Sequence, residues 1–69
     1  MFIVIELQTT GDQTTNIVTK LNTLAEAEAK YHTILSAAAT SSVEAHGAIM
    51  VNDHCAPIKH ECYIHTAEE

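Results

Sequence analysis

The sequence predicts an α+β domain in the order β-β-α-β-β: a four-stranded antiparallel sheet built from two hairpins, with one helix packed on a face. Three observations carry this prediction. The chain opens on an aliphatic, β-branched run, Met1 to Gln8, and a Gly11-Asp12 turn signal follows it. From Leu24 to Ala39 there is an alanine-rich stretch with no Gly or Pro and with apolar residues at helical spacing. The last third alternates in polarity on either side of a short connection, Asn52 to Pro57.

In the first run, Ile3, Ile5 and Leu7 point one way and Phe2, Val4 and Glu6 the other, so both faces of the strand begin apolar. Thr9 to Thr15 reads as the loop. Asn16 to Leu21 reads as a second short strand, with Ile17, Thr19 and Leu21 on one face and Val18 and Lys20 on the other. Thr23-Leu24-Ala25-Glu26 matches a capping box, in which Thr and Glu satisfy each other's free backbone N–H groups. A helix from Thr23 to Thr40 follows, with Leu24, Ala27, Tyr31, Ile34 or Leu35, and Ala38 as its core stripe and Glu26–Lys30 as an i,i+4 pair opposite. Ala45 to Val51 and Ile58 to His65 form the second hairpin. Ile58, His60, Cys62 and Ile64 share one face of the last strand; Lys59, Glu61, Tyr63 and His65 share the other. Thr66 to Glu69 is expected to fray.

Sixty-nine residues make one domain, 1–69, with a modest core, and domains of this size usually gain support from disulfides, metal or self-association. The net charge is −6, with three lysines and no arginine. Nucleic-acid and anionic-membrane binders cluster basic side chains against phosphates, so direct binding to either is not expected. The apolar start is too short for a signal peptide and has no basic region before it, and no stretch reaches membrane-span length. With Ile58 to His65 extended, Cys55 and Cys62 stand roughly 20 Å apart, too far for an intrachain disulfide. Free thiols fit a reducing cytoplasm.

One helix covers only part of a four-stranded sheet. The uncovered face is expected to carry Phe2, Val4 and Val18, with Ala48 and Met50 or their neighbours, and to serve as an interaction surface. Ala37, Ala38 and Ala39 offer two readings: a closely packed helix end within one subunit, or a helix–helix contact between subunits. These six residues, Phe2, Val4, Val18, Ala37, Ala38 and Ala39, are the candidate oligomer interface.

His60 and Cys62 lie on one strand face and form a weak candidate metal pair, but the spacing of His54, Cys55, His60, Cys62 and His65 matches no common zinc pattern. No metal or other cofactor is expected. A Cys/His nucleophile would also need an orienting third group and an oxyanion donor, and neither is evident. The carboxylates show no paired arrangement, and an enzyme is not expected. Lys30, Tyr31, His32 and His46 form the candidate ligand site, where a base can stack and a phosphate be held. The competing reading is a buried tyrosine whose hydroxyl a histidine holds.

The segment from Ala25 through Lys30-Tyr31-His32 to Ala37-Ala38-Ala39, followed by Val43 to Met50 with its His46-Gly47-Ala48 strand, resembles a group of short proteins encoded in phages and prophages of gut Firmicutes. Phe2-Ile3-Val4-Ile5 also fits that pattern, whereas the His54-Cys55 loop departs from it. The resemblance implies a viral or prophage origin and a bacterial host cytoplasm, and it brings no activity with it. Two expectations follow. One is a small accessory protein that acts by binding as a homo-oligomer, as in counter-defence, capturing a host protein or a small nucleotide signal. The other is a virion or assembly component acting through protein contacts alone. A thermal-shift screen against nucleotides and cyclic nucleotides separates them.

Overall fold

A computed structural model describes residues 1–65; the tail 66–69, expected to fray, lies outside the described residues. The element order is β1 (Phe2–Thr10), β2 (Gln13–Leu21), α1 (Leu24–Thr40), β3 (Ala45–Asn52) and β4 (Pro57–Ile64). The four strands form one antiparallel sheet in the order β2-β1-β3-β4, and α1 lies across one face, chiefly over β3 and β1. The α+β architecture expected from the sequence is therefore the observed one.

The first hairpin is longer than the sequence reading allows. Thr10 pairs with Gln13, leaving Gly11 and Asp12 as a two-residue turn. Gly11 takes φ +62°, the left-handed value that glycine tolerates without cost. Its N–H donates to the Glu44 carboxylate at 3.0 Å, which fixes the turn beside the start of β3. With a tight turn in place, pairing propagates at once into Thr9, Thr14 and Thr15. These residues read as loop by polarity but are β-branched and suit a strand.

The helix begins where the capping box places it: the Thr23 hydroxyl accepts from the Glu26 N–H at 3.1 Å. Ala27, Tyr31, Ile34, Leu35 and Ala38 are buried, while Leu24, in the first turn, is exposed. Among the described residues the helix pairs its charge through Glu28 and Lys59, 3.3 Å apart, and not through Glu26 and Lys30. No basic residue of its own sits in the last turn. Instead the His65 ring meets the Ala38 carbonyl at 2.9 Å, adding a second donor to the Ser41 N–H that caps the same oxygen at 3.3 Å.

Register decides which side chains the helix covers. Across the sheet, Val4 pairs with Thr19 and Met50, Glu6 with Ile17 and Ala48, and Gln8 with Thr15 and His46. Val4, Ala48 and Met50 of this layer form the core under α1 with Ala27, Tyr31, Ile34 and Leu35, flanked by Phe2, Leu21 and Tyr63, while Ile17 on the edge strand stays half exposed. The expectation that Phe2, Val4, Ala48 and Met50 lie on the uncovered face is thus corrected. Val4 and Met50 are fully buried, and Phe2 packs against the same core. Val18 pairs with Ile5 and lies on the opposite side from Val4. Because both faces of β1 are apolar, alternation sorts its residues into two groups without saying which the helix takes.

Candidate functional site

Three places in the fold gather side chains able to bind or react: the uncovered sheet face, a trough between α1 and β4, and a polar cluster under the helix end.

The uncovered face is set by the same register. It carries Ile3, Ile5, Leu7 and Thr9 from β1, Lys20, Val18, Asn16 and Thr14 from β2, Val51, Ile49, Gly47 and Ala45 from β3, and His60, Cys62 and Ile64 from β4. Leu7 is 40% exposed, Val18 57% and Ile64 60%; Ile3, Ile5, Ile49 and Val51 are half-buried only by their neighbours in the sheet. No carboxylate of the described residues lies on this face, although the chain has nine acidic residues. Its centre is hollow. Gly47 contributes no side chain, and Leu7, Ile49, His60 and Cys62 surround a depression of about 370 Å³. Of the six candidate interface residues only Val18 belongs here. Ala38 is fully buried in the core, so it belongs to the close-packed helix end within the subunit; Ala37 and Ala39 are exposed, Ala39 at the trough between α1 and β4.

His60 and Cys62 stay on one face, as expected, but the described residues bring no group of three or more His, Cys, Asp or Glu side chains together. Both cysteines are exposed free thiols, held apart by the length of β4.

The trough is about 530 Å³ and is lined by Tyr31, His32, Lys59, Glu61 and Tyr63 among others. Tyr31 packs its ring edge-on to His32, with centroids 5.6 Å apart, and the Lys59 ammonium sits 5.7 Å from the Tyr31 centroid. Burial, and then the Glu61 carboxylate, push the Tyr31 hydroxyl up; the Glu61 charge, with smaller contributions from burial and a hydrogen bond to Glu61, does the same for Tyr63. Both phenols therefore stay protonated near neutral pH and act as hydrogen-bonding groups, not nucleophiles. Lys59 is the one lysine lining the trough; it is shared with Glu28 and sits beside Glu61, so the trough is poorly suited to a phosphate.

The candidate ligand set of Lys30, Tyr31, His32 and His46 therefore divides. Tyr31 and His32 line the trough. His46 lies in the polar cluster, and Lys30 lends its charge to Glu6 there. His46 does not hold the Tyr31 hydroxyl; both of its ring nitrogens are engaged elsewhere.

In the cluster, the His46 ring is 4% exposed, with Nε2 2.6 Å from the Glu6 carboxylate and Nδ1 3.0 Å from the Ser41 hydroxyl. Gln8 donates to the same Glu6 oxygen at 3.0 Å. The order serine, histidine, carboxylate is that of a hydrolase triad. Neither the hollow nor the trough is lined by Ser41, however, and the three residues come from α1's C-cap, β3 and β1. The cluster thus ties the helix end to the two central strands. Ser41 stands only five residues before His46, but Glu6 is forty residues away, and nothing in their local pattern signals that the three meet.

Burial raises the Glu6 carboxyl, but hydrogen bonds from His46 and Gln8 and the charges of His46 and Lys30 outweigh it, so the group settles below its ordinary range. A carboxyl lowered on folding contributes stability that is fully present above the ordinary glutamate range. That stability is lost as the pH falls through the lowered value. Melting curves from neutral pH down to about pH 3 should therefore fall more steeply for the parent chain than for Glu6→Gln. Parallel curves would show that the cluster contributes nothing to acid stability.

Comparison with family models, curated proteins and solved structures gives no match to this chain.

Proposed function

We propose that this chain is a small, non-enzymatic binding protein that works as a homo-oligomer, with the uncovered sheet face as its assembly surface. The observation that carries the reading is the partition of charge. A chain with net charge −6 repels its own copies, yet the acid-free face lets two copies meet without opposing carboxylates. Four strands at ~4.8 Å spacing and eight residues at ~3.3 Å rise give a footprint of roughly 500 Å² per copy. Two such footprints reach the ~1,000 Å² at which specific interfaces begin.

The resemblance to phage-encoded proteins supports an accessory role in an infected bacterial cytoplasm, such as counter-defence. In that role the outward helix and trough would engage a host protein. The shared Lys59 and adjacent Glu61 argue against a phosphate-bearing signal as the captured species. Among the described residues no helix is long and apolar enough to cross a membrane.

Light scattering at micromolar concentration should give a multiple of the 7.5 kDa chain mass. Ile5→Lys, which places a charge at the middle of the face, should shift it to one chain with the helical circular dichroism retained. A single-chain mass for the parent protein would remove this reading.

A further inference from the structure

The assembly surface has a shape as well as a polarity, and the shape specifies how two copies meet. Leu7 and Gly47 are direct partners across β1 and β3. One is an exposed aliphatic knob; the other is the floor of a hollow bounded by Leu7, Ile49, His60 and Cys62. A knob and a hole side by side on one surface form a self-complementary pair. A two-fold axis running between them places each Leu7 over the partner's Gly47.

From this, and resting on the face-to-face reading above, we infer that two copies pack as a sandwich about a two-fold axis. The axis lies between the sheets and runs nearly along the strands, above the β1–β3 seam, and Leu7 of each copy fills the Gly47 hollow of the other.

The strand order supports the same axis independently. In β2-β1-β3-β4 the β1–β3 seam is the midline of the sheet. Rotation about it lays β1 over the partner's β3 and β2 over its β4, so both sheets are covered edge to edge with no overhang. Among axes that run along the strands, any one displaced to another seam leaves two or more strands uncovered on each copy. Aligned packing of two twisted sheets, at about 30° with ~10 Å between them, keeps this overlap. Along the rows, Ile5 then meets Ile49 and Ile3 meets Val51, apolar against apolar. Lys20 at the end of β2 and His60 on β4 come to the rim, where they remain in water.

The arrangement is tested by cross-linking at single thiols. On a background of Cys55→Ser and Cys62→Ser, one further cysteine is introduced at a time and treated with a bis-maleimide carrying a two-carbon spacer. Positions on β1 lie next to the axis, so Leu7→Cys and Thr9→Cys should become cross-linked dimers as the major product. Positions on the outer strands are carried to opposite sides of the sandwich, so Val18→Cys and Ile64→Cys should remain single chains on a denaturing gel. Thr9→Cys keeps the Leu7 knob and guards against loss of the dimer in the first variant. Each variant's mass before treatment is read by sedimentation velocity. Dimers that link through Val18→Cys or Ile64→Cys but not through the β1 positions would overturn the axis while leaving face-to-face association in place. A parent chain that sediments as a monomer would overturn both.

Discussion

Met50→Ala should cost about 3 kcal/mol and lower the melting temperature by roughly 15 °C, which for a domain of this size is most of its stability. Met50 is fully buried at the centre of β3, cross-strand from Val4 and Lys59 and under the helix. The core it belongs to has few large members: Val4, Tyr31, Ile34, Leu35 and Met50, with Ala27 and Ala48 filling the close approach between helix and sheet. Alanines have no spare length to swing into a void. The hole left by the thioether chain would stay open, and both the transfer and the cavity contributions would be lost. Urea denaturation followed by circular dichroism measures the effect. A loss under about 1 kcal/mol would mean that the helix settles onto the sheet and closes the gap, which its alanine contacts argue against.

The elements were legible in the sequence because each has a local cause. The Thr23 cap, the uninterrupted Leu24–Ala39 periodicity and the Gly11-Asp12 turn all act over a few residues, and all appear in the fold. What a single strand cannot disclose is the side on which the helix lies. Phe2 and Val4 look no different from Ile3 and Ile5 until the register joins Val4 to Met50 and Ile5 to Val18 and Ile49. For the same reason the sequence places Phe2 and Val4 on the uncovered face with Val18, whereas the structure leaves only Val18 of the three there. The polar cluster was hidden for a different reason: Glu6, Ser41 and His46 meet only after three elements have packed. One signal lay within reach. On β1, β3 and β4 the residues that alternate with Glu6, His46 and Glu61 include no acid, and that is the pattern on which the proposed assembly surface rests.

Gly47→Ala tests how far the hollow on that face is a requirement of the fold. A β-carbon at Gly47 would lie 2.3 Å from the Glu61 carbonyl oxygen, 2.7 Å from Cys62 Cα and 2.9 Å from Cys62 Cβ. These are backbone atoms and the root of a side chain, so no rotamer change relieves them; β4 itself must move away from β3. The expected cost is about 3 kcal/mol, at the upper end for overpacking, because the strain falls on ladder hydrogen bonds as well as on contacts. Gly11→Ala provides the contrast. That site is open, with nothing within 4 Å, but its φ of +62° is left-handed. The substitution should therefore cost only the conformational penalty of about 1 kcal/mol. Hydrogen exchange distinguishes the two mechanisms. In Gly47→Ala, amides of β4 should lose protection well ahead of those of β1 and β2, whereas Gly11→Ala should affect only the first hairpin. Equal losses in the two variants would show that β4 yields easily at this point. The missing side chain at Gly47 would then serve the surface and not the strand pairing.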